Sequence, residues 1–186
     1  IRSISASKLN FLRNETFEKY PKLLNEYIVE FEGSEGTQNF LNAIVNYPLL
    51  KGQQTNLYKC FLPLGWKINN SKGVAGYLHP EGVYDDPKGG ILRREIYKRL
   101  KYHFQFQNAK NLFEIAHRAK YSTNVFNNGN REINFINMSN IFLPQTIETS
   151  FAHVGDDIVD GIKDDENNWN LKGHKSRIVK INKDIL

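Results

Sequence analysis

The stretch from Gly73 to Ile136 constrains the fold most, because its hydrophobic period changes from strand to helix and back. GVAGYLH (residues 73–79) is a short apolar run that stops at Pro80-Glu81-Gly82, which cannot continue a ladder. From about Gly90 to Leu100, Ile91, Leu92, Ile96 and Leu100 fall on one side, and Arg93, Arg94, Lys98 and Arg99 fall mainly on the other. That spacing predicts an amphipathic helix. YHFQF (102–106), YSTNVF (121–126) and EINFI (132–136) then read as strands. Strand, helix, strand and further strand is the tail of an α/β sheet.

The flanks are of a different character. Leu9, Leu12, Phe17, Tyr20, Leu23, Leu24 and Tyr27 recur at helical spacing, with Pro21 as an interruption and Gly33 and Gly36 as the expected end. A second short helix is expected around Phe40, Leu41, Ile44 and Val45, up to Pro48. Thr55 or Asn56 caps a third, carrying Leu57, Tyr58, Phe61, Leu62 and Trp66 on one face, with Pro63 and Gly65 predicting a kink. The region from about Gln145 is Asp-, Asn- and Gly-rich until Arg177–Ile181, which could add one more strand. The organisation expected is an N-terminal helical segment (1–54), an α/β domain (55–143) and an irregular, partly β extension (144–186).

The 186 residues are 40% hydrophobic and include twelve Phe and nine Tyr, enough for a packed core and against a disordered chain. No apolar run approaches the ~20 residues that a membrane span requires. A single cysteine, Cys60, excludes an internal disulfide and a Cys-based zinc site, which fits a reducing, cytoplasmic setting. The opening IRSISASKLNFL has no signal-peptide pattern and reads as the start of a piece cut from a longer protein. The net charge of +5 conceals an asymmetry. Lys88–Lys120 carries nine Lys/Arg against Glu95 and Glu114, whereas Pro144–Leu171 carries Lys163 against seven acids. A basic middle segment suits phosphates, or equally a solvated helix face.

Several chemistries lack their motifs. The chain has no G-x-G-x-x-G, no phosphate-cradling P-loop, no G-x-S-x-G elbow and no H-E-x-x-H pair. The histidines at 79, 103, 117, 153 and 174 share no helical ligand spacing, so a metal site could arise only through folding. Asp86-Pro87-Lys88, near Glu81 and Asp85, superficially fits the D-x-K element of a metal-dependent nuclease, but Pro87 argues against the ladder strand that element needs. Asp156, Asp157, Asp160, Asp164, Asp165 and Glu166 lack calcium-loop spacing and read as a solvated loop.

Three blocks in order carry a resemblance. They are Thr55–Leu62 (TNLYKCFL), Gly76–Arg93 (GYLHPEGVYDDPKGGILR), and His103–Asn108 through Leu112-Phe113 to Tyr121–Phe126. Over roughly residues 36–143 the chain resembles the second half of an N6-adenine DNA methyltransferase catalytic domain, its fifth to eighth motifs, nearest to the type IIG-like restriction-modification methylases. Two diagnostic motifs of that family are absent: the Gly-rich S-adenosylmethionine loop and the Asn/Asp-Pro-Pro-aromatic tetrapeptide. Asn46-Tyr47-Pro48 is no substitute.

The resemblance implies the C-terminal part of a Rossmann-like sheet with N-terminal helices. It also implies methyl transfer to an adenine flipped out of double-stranded DNA. His79, Pro80 and Glu81 would face the target base, and Phe113 would stack on it. Tyr58 and Phe61 would pack on the cofactor, and Lys88, Arg93 and Arg94 would touch phosphates. Each has a plain alternative: core packing for Tyr58 and Phe61, a self-satisfied turn for His79 and Glu81, a solvated face for the cations, and a hydrophobic plug for Phe113. Phe113 is expected at least partly exposed in a loop between two adjacent strands, on the sheet edge of His79-Pro80-Glu81. Without the two missing motifs, the chain alone is expected neither to bind S-adenosylmethionine tightly nor to methylate. A non-catalytic DNA-binding or specificity module and a metal-dependent nuclease stand as alternatives.

Overall fold

The computed structural model describes residues 4–129, 132–159 and 161–186. Asp160 of the acidic run and the first three residues lie outside them. The chain divides into two compact units, residues 1–46 and 47–186.

The first unit is a helical hairpin. Ser5 caps α1 (Ala6–Lys19) by accepting the Lys8 N–H, and Pro21 opens α2 (Pro21–Asn42) at the first helical position, where its missing donor costs nothing. Phe17 and Tyr27 hold the two together at 5.1 Å between ring centroids, and Arg13 donates to the Tyr27 hydroxyl at 3.1 Å. Gly33 and Gly36 do not end the helix, contrary to expectation, and the separate helix expected around Phe40 is the last turn of α2. Two glycines cost about 1 kcal/mol each against alanine, which good helix formers such as Glu26, Glu30 and Glu32 offset. Neither helix contains a buried residue.

The second unit is mixed α/β, built on one five-stranded mixed sheet. Its order is β1 (Val74–Pro80), β3 (Lys120–Asn127), β2 (Leu100–Gln107), β4 (Asn134–Ile141), β5 (Val179–Asn182). β3 runs antiparallel to both β1 and β2, so these two point the same way on either side of it. β2 and β4 form the parallel pair, and β5 returns antiparallel to β4. The connection from β1 to β2 is α4 (Gly82–Asp85) and α5 (Gly90–Arg99).

Every strand read from the sequence is present within a few residues, and Asn56 caps α3 (Leu57–Ile68) as expected. Pro63 lies inside α3. Gly65 is required where α3 crosses β1, since a Cβ there would collide with the Tyr77 hydroxyl.

Alternation along the strands gives each face its own core. On one face Phe126 meets Trp66 of α3 edge-on at 5.6 Å, and Leu92 and Ile96 of α5 are fully buried. On the other, Phe106, Tyr121, Met138 and Ile141 pack with Ile147 of α6 (Gln145–Ala152) and with Ile178. α6 sits in the stretch read as irregular. Among the described residues, no helix is long and apolar enough to cross a membrane.

Candidate functional site

β1 ends, β2 ends and β3 begins at one sheet edge, where Pro80 and Phe106 both pair with Tyr121. The His79-Pro80-Glu81 segment stands at this edge, and the Glu81 N–H donates to the Lys120 carbonyl at 3.3 Å.

Beneath the edge is a buried polar network. Glu81 is only 4% exposed, yet its carboxylate is well supplied with donors. His103 Nε2 lies 3.2 Å from Oε1, and Gln105 Nε2 donates to Oε2 at 2.8 Å. Burial alone would raise the Glu81 carboxyl; the bond to His103 and its charge, with bonds to Ser122 and Gln105, outweigh that and hold it below its usual value. His103 Nδ1 faces Asn137 Oδ1 at 2.7 Å, so both ring nitrogens point at oxygens of neighbouring side chains.

His79 is held differently. Asn124 Nδ2 donates to its Nε2 at 3.0 Å, which leaves Nδ1–H to donate to the Pro80 carbonyl at 2.8 Å. Burial holds the ring below the ordinary histidine range, against the pull of the Pro80 bond and the Glu81 charge. Tyr58 stacks on His79 at 5.6 Å and Tyr84 follows at 6.3 Å. The Tyr84 hydroxyl donates to Asn124 Oδ1 at 2.6 Å, and burial pushes that phenol well above its ordinary range. Tyr84, Tyr97 and Phe135 continue the row of rings across the helix-covered face.

Tyr58 is thus committed to His79, whereas Phe61, on the same helix, points outward at 55% exposure. Core packing accounts for the first and not for the second. Phe113 sits in the loop joining β2 to β3, 43% exposed, at the edge expected. Asn108 fixes its backbone, accepting the Phe113 N–H at 3.1 Å and donating to its carbonyl at 3.0 Å. Its ring meets Tyr121 edge-on at 5.1 Å, and Tyr121 stacks flat on Phe106. By strand alternation Tyr121 faces away from the side that carries His79 and Ser122, so Phe113 shares the edge but not the face. Lys110, Arg118 and Lys120 surround that loop in sequence, all exposed.

The three cations near α5 separate. Lys88 and Arg94 are exposed, but Arg93 turns inward, and its Nη1 donates to the Asp86 and Val83 carbonyls. Asp86 lies in a turn and pairs with Lys59 of α3 at 2.7 Å, which, with the Lys88 N–H, holds its carboxyl below the usual range. The D-x-K tripeptide therefore braces the turn after α4. In the acidic run, Asp164 accepts the backbone N–H of Glu166 and Asn168, and so closes its own turn.

His103, Gln105, Ser122, Asn124 and Asn137 are the members of the network that motif reasoning missed. For the first four the signal was a polar residue at every second place of YHFQF and YSTNVF; Asn137 lies beyond the EINFI run, on β4. Comparison with protein-family models and with curated proteins finds no match to this chain.

Proposed function

We propose that this chain forms part of an adenine-specific DNA methyltransferase of a restriction-modification or phage-defence system, and that it contributes the target-base side of the site. The observation that carries the reading is the half-exposed Phe113 on a loop anchored by Asn108, flanked in sequence by exposed Lys110, Arg118 and Lys120. An aromatic face for a base and cations for the backbone are what an unstacked nucleotide needs. The order of the resembling blocks agrees: they fall on α3, on β1 with α4 and α5, and on β2, the loop and β3.

S-adenosylmethionine, the cofactor that the reading implies, is fitted only in part. Phe61 offers an open ring, Tyr58 is occupied by His79, and no Gly-rich loop is present. His79 and Glu81 are too buried to touch a substrate. In this reading they are positioning residues: the Glu81–His103 pair and the His79–Asn124 bond fix the end of β1, so that Pro80 and the adjoining loop hold their places.

A non-catalytic DNA-binding module would use the same Phe113 loop without chemistry. The nuclease alternative loses its carboxylate, since Asp86 is occupied by Lys59. The test is transfer of a labelled methyl group from S-adenosylmethionine to unmethylated duplex DNA by the whole protein that contains this chain, with nucleoside analysis of the product. N6-methyladenine supports the reading. DNA binding without it points to the binding module, and neither overturns both.

A further inference from the structure

Folding brings two of the five histidines to one acid. His153 follows α6 directly, Asp157 lies in the loop beyond, and His174 precedes the turn that leads to β5. His153 Nε2 and His174 Nε2 stand 3.2 and 3.1 Å from the same Asp157 oxygen, Oδ1, and the three atoms lie within 4.8 Å of one another. The His174 N–H is held by the Ser150 hydroxyl of α6 at 3.2 Å, and Gly173 presses so closely on α6 that a Cβ would strike the Ser150 backbone nitrogen. His174 is buried, His153 half-buried and Asp157 exposed, so the open side of the cluster faces solvent.

We propose that His153, Asp157 and His174 bind a divalent transition-metal ion of the zinc type. Two imidazoles and one carboxylate are ligands suited to zinc, cobalt or nickel rather than to magnesium or calcium. Ligands about 2.05 Å from a tetrahedral zinc lie ~3.3 Å apart, close to the two nitrogen–oxygen separations present. Lys172 and Arg177 line the same pocket as Asp157 and His174, and Lys175 packs against Gly155, so the ligand set, and not the local net charge, must hold the ion. Among the described residues, 154–173 hold one isolated bridge, Lys163 to Trp169, as their regular pairing. An ion between the two ends of that excursion would tie it to α6.

The proton positions set the strength. Without metal, each Nδ1 accepts a backbone N–H, from Gly155 at 2.9 Å and from Ser176 at 3.0 Å, so each ring proton sits on Nε2 and points at Asp157. A metal takes the Nε2 lone pair. Each ring must then carry its proton on Nδ1, with no net proton released from a neutral ring, and the two amides must turn away. Gly155, at φ +87°, is a residue that can do so. The site therefore rearranges on loading, which predicts micromolar rather than nanomolar affinity.

Zinc binding to the full chain is measured in competition with a chromophoric chelator, with cobalt(II) absorption as a spectroscopic probe of the ligands. One zinc per chain is expected, with a higher melting midpoint and no displacement by millimolar calcium. His153→Ala and Asp157→Asn should each weaken it at least ~10-fold. Asp157 is exposed, so its variant keeps the fold if His153→Ala does not. Absence of binding at 0.1 mM zinc (roughly a hundred times a micromolar constant), or equal binding by wild type and both variants, overturns the proposal.

Discussion

Oε1 of Glu81, just beyond β1, lies 3.2 Å from Nε2 of His103 on β2, although β3 runs between those strands. The pair bridges over β3, close to Ser122, and His103 continues to Asn137 on β4. One hydrogen-bonded line therefore fixes the relative positions of four strands at the edge where the proposed site lies. Paired burial of this kind costs desolvation and returns specificity only while every partner is present.

Removing one member should accordingly be severe. Glu81→Ala is expected to cost ~3–5 kcal/mol in urea denaturation, by leaving the His103 ring without its carboxylate. Glu81→Gln, which retains an acceptor, should cost less. The folded Glu81 carboxyl is held below its ordinary value of 4.5. Its stabilisation is therefore complete above that pH and lost as pH falls through the lower, folded value. The acid limb of the stability curve should flatten in Glu81→Gln; an unchanged limb would assign it to other groups.

His79 titrates in a neighbouring window. Burial holds its folded pKa below the ordinary 6.5, so stability is full above pH 6.5 and declines as pH falls toward the folded value. Proton NMR of the ring should show a midpoint below 6.5. A midpoint at or above it would mean that the Asn124 bond to Nε2 does not persist in solution.

Tyr84→Phe removes a single oxygen and tests the other half of the network. Asn124 is fully buried, and its Oδ1 would lose the Tyr84 hydroxyl. The expected cost is ~1–3 kcal/mol, the range for a buried polar atom left unmatched. A neutral result would show water taking the vacated place.

The legible and illegible parts of this molecule divide along physical lines. Strands such as YHFQF and the amphipathic helix 90–99 show their period locally, and so does the Asn56 cap. Gly33 and Gly36 misled because glycine lowers helix stability without forbidding helix. α6, with Ile147 and Phe151 at i and i+4, was too short to stand out beside the acidic residues that follow it. The ends of β1 and the Phe113 loop were readable as breakers after strands. The inward-facing polar residues were not, because alternation alone does not say which face is covered. Here Ser122 and Asn124 face the helices, whereas Tyr121 joins the opposite core. The His153–Asp157–His174 cluster depends on a long-range return of the chain, and no spacing rule encodes that.

Phe113 discriminates most sharply among the functional readings. Its ring meets Tyr121 edge-on and stays 43% exposed, and its backbone is held by Asn108 independently of the side chain. Phe113→Ala should therefore leave the melting midpoint nearly unchanged. In the whole protein, DNA association should weaken by ~1–3 kcal/mol, roughly 5- to 150-fold, the worth of one base stacked on an aromatic ring. Phe113→Trp should retain most of the binding. Neutralising Lys110, Arg118 and Lys120 should instead lower the salt dependence, by about one unit of slope for each phosphate that is no longer neutralised. If Phe113→Ala lowers stability by several kcal/mol and leaves DNA association intact, the residue is a hydrophobic plug on Tyr121 and the base-stacking role falls.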